Sequence, residues 1–273
     1  MHFPPTNALN ISDHEFRQFQ KLLYDIAGIH LSPAKKALVC GRLARRLSQH
    51  GLTSYGDYYR LLTDGRSGNE LQHALDLLTT NETYFFREPR HFDFLKETIL
   101  SAHHSGQTFR VWSAACSSGE EPYSVAMVLA DRLGEAPWEV FGSDISQRVL
   151  EKARLGHYSL ERGKNIPREY LIRYCLKGVG SQEGTFLIDK ALRNRVRFMH
   201  VNLNSTLPKV GEFDLIFLRN VMIYFDLPVK RQVVARLIQT LKPGGYFIVG
   251  HAETLNGVDE TLLPLAPTIY RKP

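Results

Sequence analysis

The sequence predicts a doubly wound α/β sheet, preceded by a helical domain and interrupted by a small antiparallel insertion. Three observations carry this. From about residue 106 onward, short apolar runs alternate with helical stretches, the pattern of a parallel sheet with crossover helices. Before residue 80 the apolar residues recur only at helical spacing. Between about residues 165 and 195 the alternation breaks around the glycine-rich run GVGSQEG. The 273 residues therefore divide into an N-terminal helical domain (1–79), a linker with a connecting helix (80–105), and an α/β domain (106–273) carrying a β insertion at about 165–195.

Ser12-x-x-Glu15 has the form of a capping box and starts the first helix. Phe16, Phe19, Leu22, Leu23 and Ile26 follow on one face, with Gly28 near the stop. A second helix opens at Ser32-Pro33 and runs to Gly51. Its apolar face is Leu38, Leu43 and Leu47, and much of the rest is covered by Lys35, Lys36, Arg42, Arg45 and Arg46. Shorter helical segments follow at 55–62 and 70–78. In the α/β part, strands are predicted at 109–115, 138–144, 196–203, 213–220 and 246–250. Helices are predicted at 120–133, from about 146, and at 229–241, the last stopping at Lys242-Pro243-Gly244-Gly245. The insertion reads as a hairpin of 171–176 with 185–188 about the glycine-rich turn.

Composition sets the outer limits. Apolar residues make up 43% and charged residues 23%, which is soluble globular composition without a bilayer-length apolar run. The first ten residues lack the basic-then-apolar order of a signal peptide. Cys40, Cys116 and Cys175 are scattered and odd in number, so a disulfide framework and a structural zinc site are not expected, and a reducing, cytoplasmic setting is. The eleven histidines show no metal-ligand spacing, so no metal is expected. A net charge of +6 favours anionic partners, nucleic acid or acidic protein.

The first predicted strand runs into Ser113-Ala114-Ala115-Cys116-Ser117-Ser118-Gly119-Glu120-Glu121. Small residues between a buried strand and a helix N-terminus let a ligand approach the backbone closely. One glycine, no lysine and two glutamates do not make a phosphate loop, but they suit a cationic ligand. A tight turn without a ligand accounts for the same residues. The second strand ends at Asp144, placed to accept from the two hydroxyls of a ribose or, equally, to cap the helix beginning near Ser146. Together they describe an adenosine-bearing, positively charged cofactor without phosphates, which S-adenosylmethionine fits. Two further clusters stand out, TNETYFFR at the domain junction and RNVMIYF at the end of a central strand. In these, Phe85, Phe86, Ile223 and Phe225 are read first as core.

The runs TNETYFFRE, WSAACSSGEEPYS, GSDIS, VNL, FDLIFLRNVMIYFD, LKPGG and GHAE resemble those of the CheR-type chemotaxis receptor methyltransferases, in order and over nearly the whole chain. The resemblance implies a Rossmann-like S-adenosylmethionine-dependent methyltransferase, with S-adenosylhomocysteine as product. It implies cofactor contacts from Asn81, Thr83 and Arg87 of the linker motif, Glu120, the ribose-binding Asp144, Asn202 and Leu203 flanking the adenine, and Arg219, Asn220 and Val221 beneath the sulfonium. Tyr224 aligns with a tyrosine beside the transferred methyl. The implied acceptors are glutamates on the cytoplasmic helical domain of methyl-accepting chemotaxis receptors, and a receptor C-terminal tether could dock at the insertion.

An ionised glutamate needs no general base, which agrees with the absence of a Ser/His/Asp or Cys/His constellation. Arg87 and Tyr224 are the candidate catalytic groups, Arg87 orienting the acceptor carboxylate with its planar fork. The basic second helix, with Lys35, Lys36, Arg42, Arg45 and Arg46, is either a docking platform for an acidic receptor helix or a solvated face. A nucleic-acid methyltransferase would need a polar–aromatic clamp where RNVMIYF stands. A cofactor-sensing or docking module without activity is the non-enzymatic alternative.

Overall fold

A computed structural model describes residues 10–65, 68–103 and 106–273. The expectation about a signal peptide falls mainly on residues 1–9, outside the described residues, as does His104. The chain forms two compact units, one of residues up to Thr80 together with Tyr224–Asp226, the other of the remainder.

The helical unit contains α1 (Asp13–Ala27), α2 (Lys36–Gln49) after a 3-10 turn at Pro33–Lys35, α3 (Tyr55–Thr63) and α4 (Glu70–Leu78). The capping box forms as the sequence predicts: the Glu15 N–H donates to Ser12 Oγ, and the Ser12 N–H donates to the Glu15 carboxylate at 2.8 Å. Gly28 closes α1 in the left-handed conformation. Phe16, Phe19 and Leu23 of α1 meet Leu43 and Leu47 of α2 and Tyr55 and Tyr58 of α3 in one core. Val39, not Leu38, is the third buried residue of α2. Phe225 pairs with Ile29 in an isolated bridge, and the His30 N–H donates to the Tyr224 carbonyl at 2.8 Å.

The second unit opens with α5 (Arg90–Phe94), which continues into a π-helical turn at Leu95–Ile99. Then follow β1 (Phe109–Ser113), α6 (Glu120–Leu133), β2 (Trp138–Asp144), α7 (Gln147–Leu155), β3 (His157–Ser159), α8 (Arg168–Tyr174), β4 (Cys175–Lys177), β5 (Thr185–Ile188), α9 (Lys190–Arg193), β6 (Val196–His200), β7 (Phe213–Leu218), α10 (Leu227–Gln239), β8 (Leu241–Val249), β9 (Leu263–Ala266) and β10 (Ile269–Arg271). The main sheet has the order β6-β2-β1-β7-β8-β10-β9. Its first five strands are parallel and β10 and β9 antiparallel. The five parallel strands are the five predicted. The antiparallel pair, two short strands holding Pro264 and ending near the chain terminus, gave no alternation to find.

Two expectations are corrected. Residues 168–174 form α8, with Tyr170 buried, so of the expected hairpin strand 171–176 only Cys175 and Leu176 are extended, within β4. The small sheet is three-stranded, β3-β5-β4, and takes its extra strand from residues 157–159, ahead of the expected insertion. The Lys242–Gly245 turn lies inside β8 as a bulge: Phe213 pairs with Leu241, and the next partner of β7, Leu215, pairs with Tyr246.

Candidate active site

Strand order reverses at β1: the chain moves outward through β2 to β6, then returns to β7 and β8 on the other side. Ligands of open α/β sheets bind at the carboxyl ends of the strands beside such a reversal. Every cofactor residue implied by the resemblance beyond the linker lies there: Glu120 after β1, Asp144 ending β2, Asn202 and Leu203 after β6, and Arg219, Asn220 and Val221 after β7.

The loop after β1 is fastened to both neighbours. The Ala114 N–H donates to the Phe217 carbonyl and the Cys116 N–H to the Ser143 carbonyl, each at 2.8 Å. Ser117 (φ 49°) and Gly119 (φ 95°) then turn the chain into α6. A Cβ on Gly119 would stand 2.9 Å from the Ala153 Cβ, so the loop needs glycine for conformation and for space. Besides Ser117, the non-glycine residues with positive φ are Phe86, Glu88, Asn220 and Thr268 among the described residues. Four of the five lie in the linker motif or after β1 and β7, and backbone strain gathers where a site holds its geometry.

The Asp144 carboxylate accepts from the Ser117 and Ser146 N–H groups at 2.9 Å each. It therefore joins the β1 loop to the turn before α7, whose N-cap residue is Ser146 and which has no side-chain cap bond. Glu120 is fully buried, held by Ser118 Oγ at 2.7 Å and an ion pair with Arg162. Glu121 pairs with Arg219 at 2.8 Å and accepts from Ser113 Oγ at 2.7 Å. Burial nevertheless pushes its carboxyl pKa up, against the pull of Arg219. Arg219 is itself buried and also pairs with Glu88 at 3.0 Å. Burial raises Glu88 too, but Arg219, the Asn220 amide and the His251 backbone N–H together bring it below its usual value. Glu253 clamps the turn after β7, accepting from the Asn220 and Gly250 N–H groups at 2.7 and 2.8 Å.

The linker motif is stitched to this cluster. Ser117 Oγ donates to the Asn81 carbonyl at 2.9 Å, and the Phe86 N–H donates to Ser124 Oγ at 2.9 Å. Arg162 reaches the Thr83 carbonyl at 3.2 Å. Arg87 donates to the Glu82 carbonyl at 3.0 Å, lies 5.7 Å from the Tyr84 ring centroid and makes no ion pair among the described residues. Asn202 folds back on the Asn204 N–H at 2.9 Å, and Leu203 is buried. Tyr224 is grouped with the helical unit. Phe85, Phe86 and Phe225 are buried as expected, whereas Ile223 is exposed.

The basic helix α2 is less free than its sequence suggests. Arg46 forms an ion pair with buried Glu70, Arg42 donates to the Leu78 and Thr79 carbonyls at 3.0 and 3.1 Å, and Lys36 pairs with Asp13 at 2.5 Å. Lys35 and Arg45 are exposed and without an ion-pair partner among the described residues.

Sequence reasoning missed Glu88, Arg162 and Glu253, whose roles come from partners distant in the chain. It also missed a potential metal-ligand set. Glu88, His91 and His251 place one ligand atom each within 4.8 Å of one another. The expectation of no metal rested on sequence spacing, and this cluster is assembled only by folding. The three cysteines are free thiols.

Three carboxylates gather near the ends of β1 and β2, Glu120 and Glu121 paired with Arg162 and Arg219 and Asp144 held by two backbone N–H groups, and the buried Ser146 hydroxyl has no hydrogen-bond partner among the described residues. Residues 81–270 match the family described as CheR methyltransferase, SAM binding domain, and residues 14–79 match CheR methyltransferase, all-alpha domain. The chain is 44% identical over 270 residues to the chemotaxis protein methyltransferase of Escherichia coli strain K12, covering 97% of this chain and 93% of that one. It is 38% identical to chemotaxis protein methyltransferase 2 of Pseudomonas aeruginosa, covering 94% and 92%. It is 35% identical to the chemotaxis protein methyltransferase of Borreliella burgdorferi, covering 97% and 96%.

Proposed function

This chain belongs to the CheR methyltransferase family of S-adenosylmethionine-dependent enzymes, and from that premise we propose that it esterifies glutamate side chains on the cytoplasmic helical domain of chemotaxis receptors. The observation that carries the proposal is the place of Asp144 at the carboxyl end of β2 beside the sheet reversal, where an acidic side chain can accept from the hydroxyls of a ribose. When bound, the cofactor supplies an electrophilic methyl group.

The protein's own residues then have three tasks. Asp144 receives the ribose hydroxyls. Asn81, Thr83, Glu120, Asn202 and Leu203 hold the remainder of the cofactor, and Arg219, Asn220 and Val221 wall the sulfonium end. Arg87, with no carboxylate partner of its own, orients the incoming glutamate, and Tyr224 offers a hydroxyl to the same group. No residue need remove a proton, because a glutamate with a pKa near ~4.3 is already ionised at neutral pH. Positioning and exclusion of water supply the rate. Lys35 and Arg45 extend the reading to docking on an acidic receptor helix, and the small β3-β5-β4 sheet is the place for a receptor tether. The setting is the cytoplasm, in keeping with the absence, among the described residues, of a helix long and apolar enough to cross a membrane.

The test is incubation with methyl-labelled cofactor and membranes carrying candidate receptors. Base-labile label on receptor glutamates is the expected result. Label on nucleic acid, or none despite tight cofactor binding, would overturn it.

A further inference from the structure

We propose that Glu88, His91 and His251 form a site for a divalent zinc ion. The central observation is the orientation of His91, a side chain just before the middle of α5 and 1% exposed. Its Nε2 lies 2.8 Å from Thr268 Oγ1, and that hydroxyl lies 2.5 Å from the Pro267 carbonyl, which takes its only proton. With that proton so placed, Thr268 Oγ1 accepts from His91 Nε2–H, and the lone pair of the neutral ring is left on Nδ1. This Nδ1 has no hydrogen-bond partner among the described residues. What it faces is Glu88 Oε2, 3.4 Å away, a second acceptor. A buried acceptor turned toward a second, largely enclosed one is unfavourable unless a cation stands between them.

The third ligand completes the set. His251 packs edge-on against His91, with ring centroids 5.2 Å apart, and its exposed side chain lines a surface cleft shared with Thr268, Glu253 and Thr254. The cleft opens at His251, the exposed ligand of the set. Two imidazole nitrogens and one carboxylate oxygen suit Zn²⁺, whereas Mg²⁺ and Ca²⁺ take oxygen ligands. The Thr268 hydroxyl fixes the ring of His91 from behind, as outer-shell partners of metal-bound histidines do. Arg219 already neutralises part of Glu88 at 3.0 Å, so this site binds less tightly than the same three ligands would alone.

The experiment is a competition of the full chain against a chromogenic chelator for Zn²⁺ at neutral pH, with Co²⁺ absorption as a spectroscopic signature. The wild type is expected to take one equivalent and to develop the visible bands of cobalt bound by nitrogen and oxygen. His251→Ala, on an exposed side chain, should keep its circular dichroism and lose roughly tenfold or more in affinity. Thr268→Ser, which retains the hydroxyl, should bind as the wild type does, and Thr268→Ala should not. No stoichiometric zinc in the wild type, or equal affinity in His251→Ala, would overturn the assignment.

Discussion

Asp144 illustrates how one side chain can serve two roles, and how they can be separated. Its carboxylate holds the Ser117 and Ser146 N–H groups, so Asp144→Asn turns one acceptor into a donor facing a donor. Charge-assisted hydrogen bonds are worth roughly 1.5–3 kcal/mol each. Calorimetric affinity for S-adenosylhomocysteine should therefore fall at least about tenfold in this variant. Unchanged affinity with a lowered melting temperature would leave Asp144 an anchor of the two turns and nothing more. Arg87 calls for a different measurement. Arg87→Lys keeps the charge and loses the two-pronged geometry, so turnover should drop steeply while cofactor affinity changes little. A collapse of cofactor affinity with normal turnover at saturation would move Arg87 from the acceptor to the cofactor. Asp144 and Arg87 are candidates that the sequence offers because each sits in a contiguous motif. Glu88, Glu253 and Arg162 are not, since their partners lie 131, 33 and 42 residues away.

Helix α2 joins stability and docking on one element. Glu70 of α4 is buried among Arg46, Tyr58 and His50, and although burial alone would raise its pKa, these partners bring it down to about 2 from 4.5. The folded value lies below the unfolded one, so the contribution is full above about pH 4.5 and is lost as pH falls toward 2. Its size is about 3 kcal/mol. Glu70→Gln should lower the melting temperature at neutral pH and flatten the acid limb of the stability profile. Arg46→Ala should act similarly, and for that reason it is a poor probe of receptor docking. Lys35→Glu with Arg45→Glu is the sound probe: KM for receptor should rise, as it does with added salt, while cofactor affinity holds. Normal KM at low salt would make the helix a solvated face. The charge of α2 was plain in the sequence, but its division between internal ion pairs and solvent was not, because Asp13 and Glu70 are brought to it by tertiary packing. Helical periodicity likewise located α1 to α4, while the short β3, β9 and β10 carried too few residues to show a period.

At the scale of the whole molecule, each unit has its own hydrophobic core. A ligand held at the carboxyl ends of the parallel strands stabilises the folded α/β unit by mass action, about 2.7 kcal/mol at a hundredfold excess over Kd. Addition of S-adenosylhomocysteine should thus slow amide exchange in β1, β2 and β7, and failure to do so would place the cofactor elsewhere. The parallel sheet was legible as a whole because strands buried on both faces read as continuous apolar runs. Its order has a consequence for biosynthesis. β1 pairs with β2 on one side and with β7 on the other, and the Arg110 N–H that meets the Asp214 carboxylate waits for a residue 104 positions later. At about 5–20 residues per second on the ribosome, that interval lasts roughly 5–20 s. During it the edge of the central strand, apolar and unpaired, is open to other chains. The nascent protein should therefore depend on chaperones until β7 has emerged, and a ribosome stalled between residues 145 and 212 should display its most aggregation-prone state.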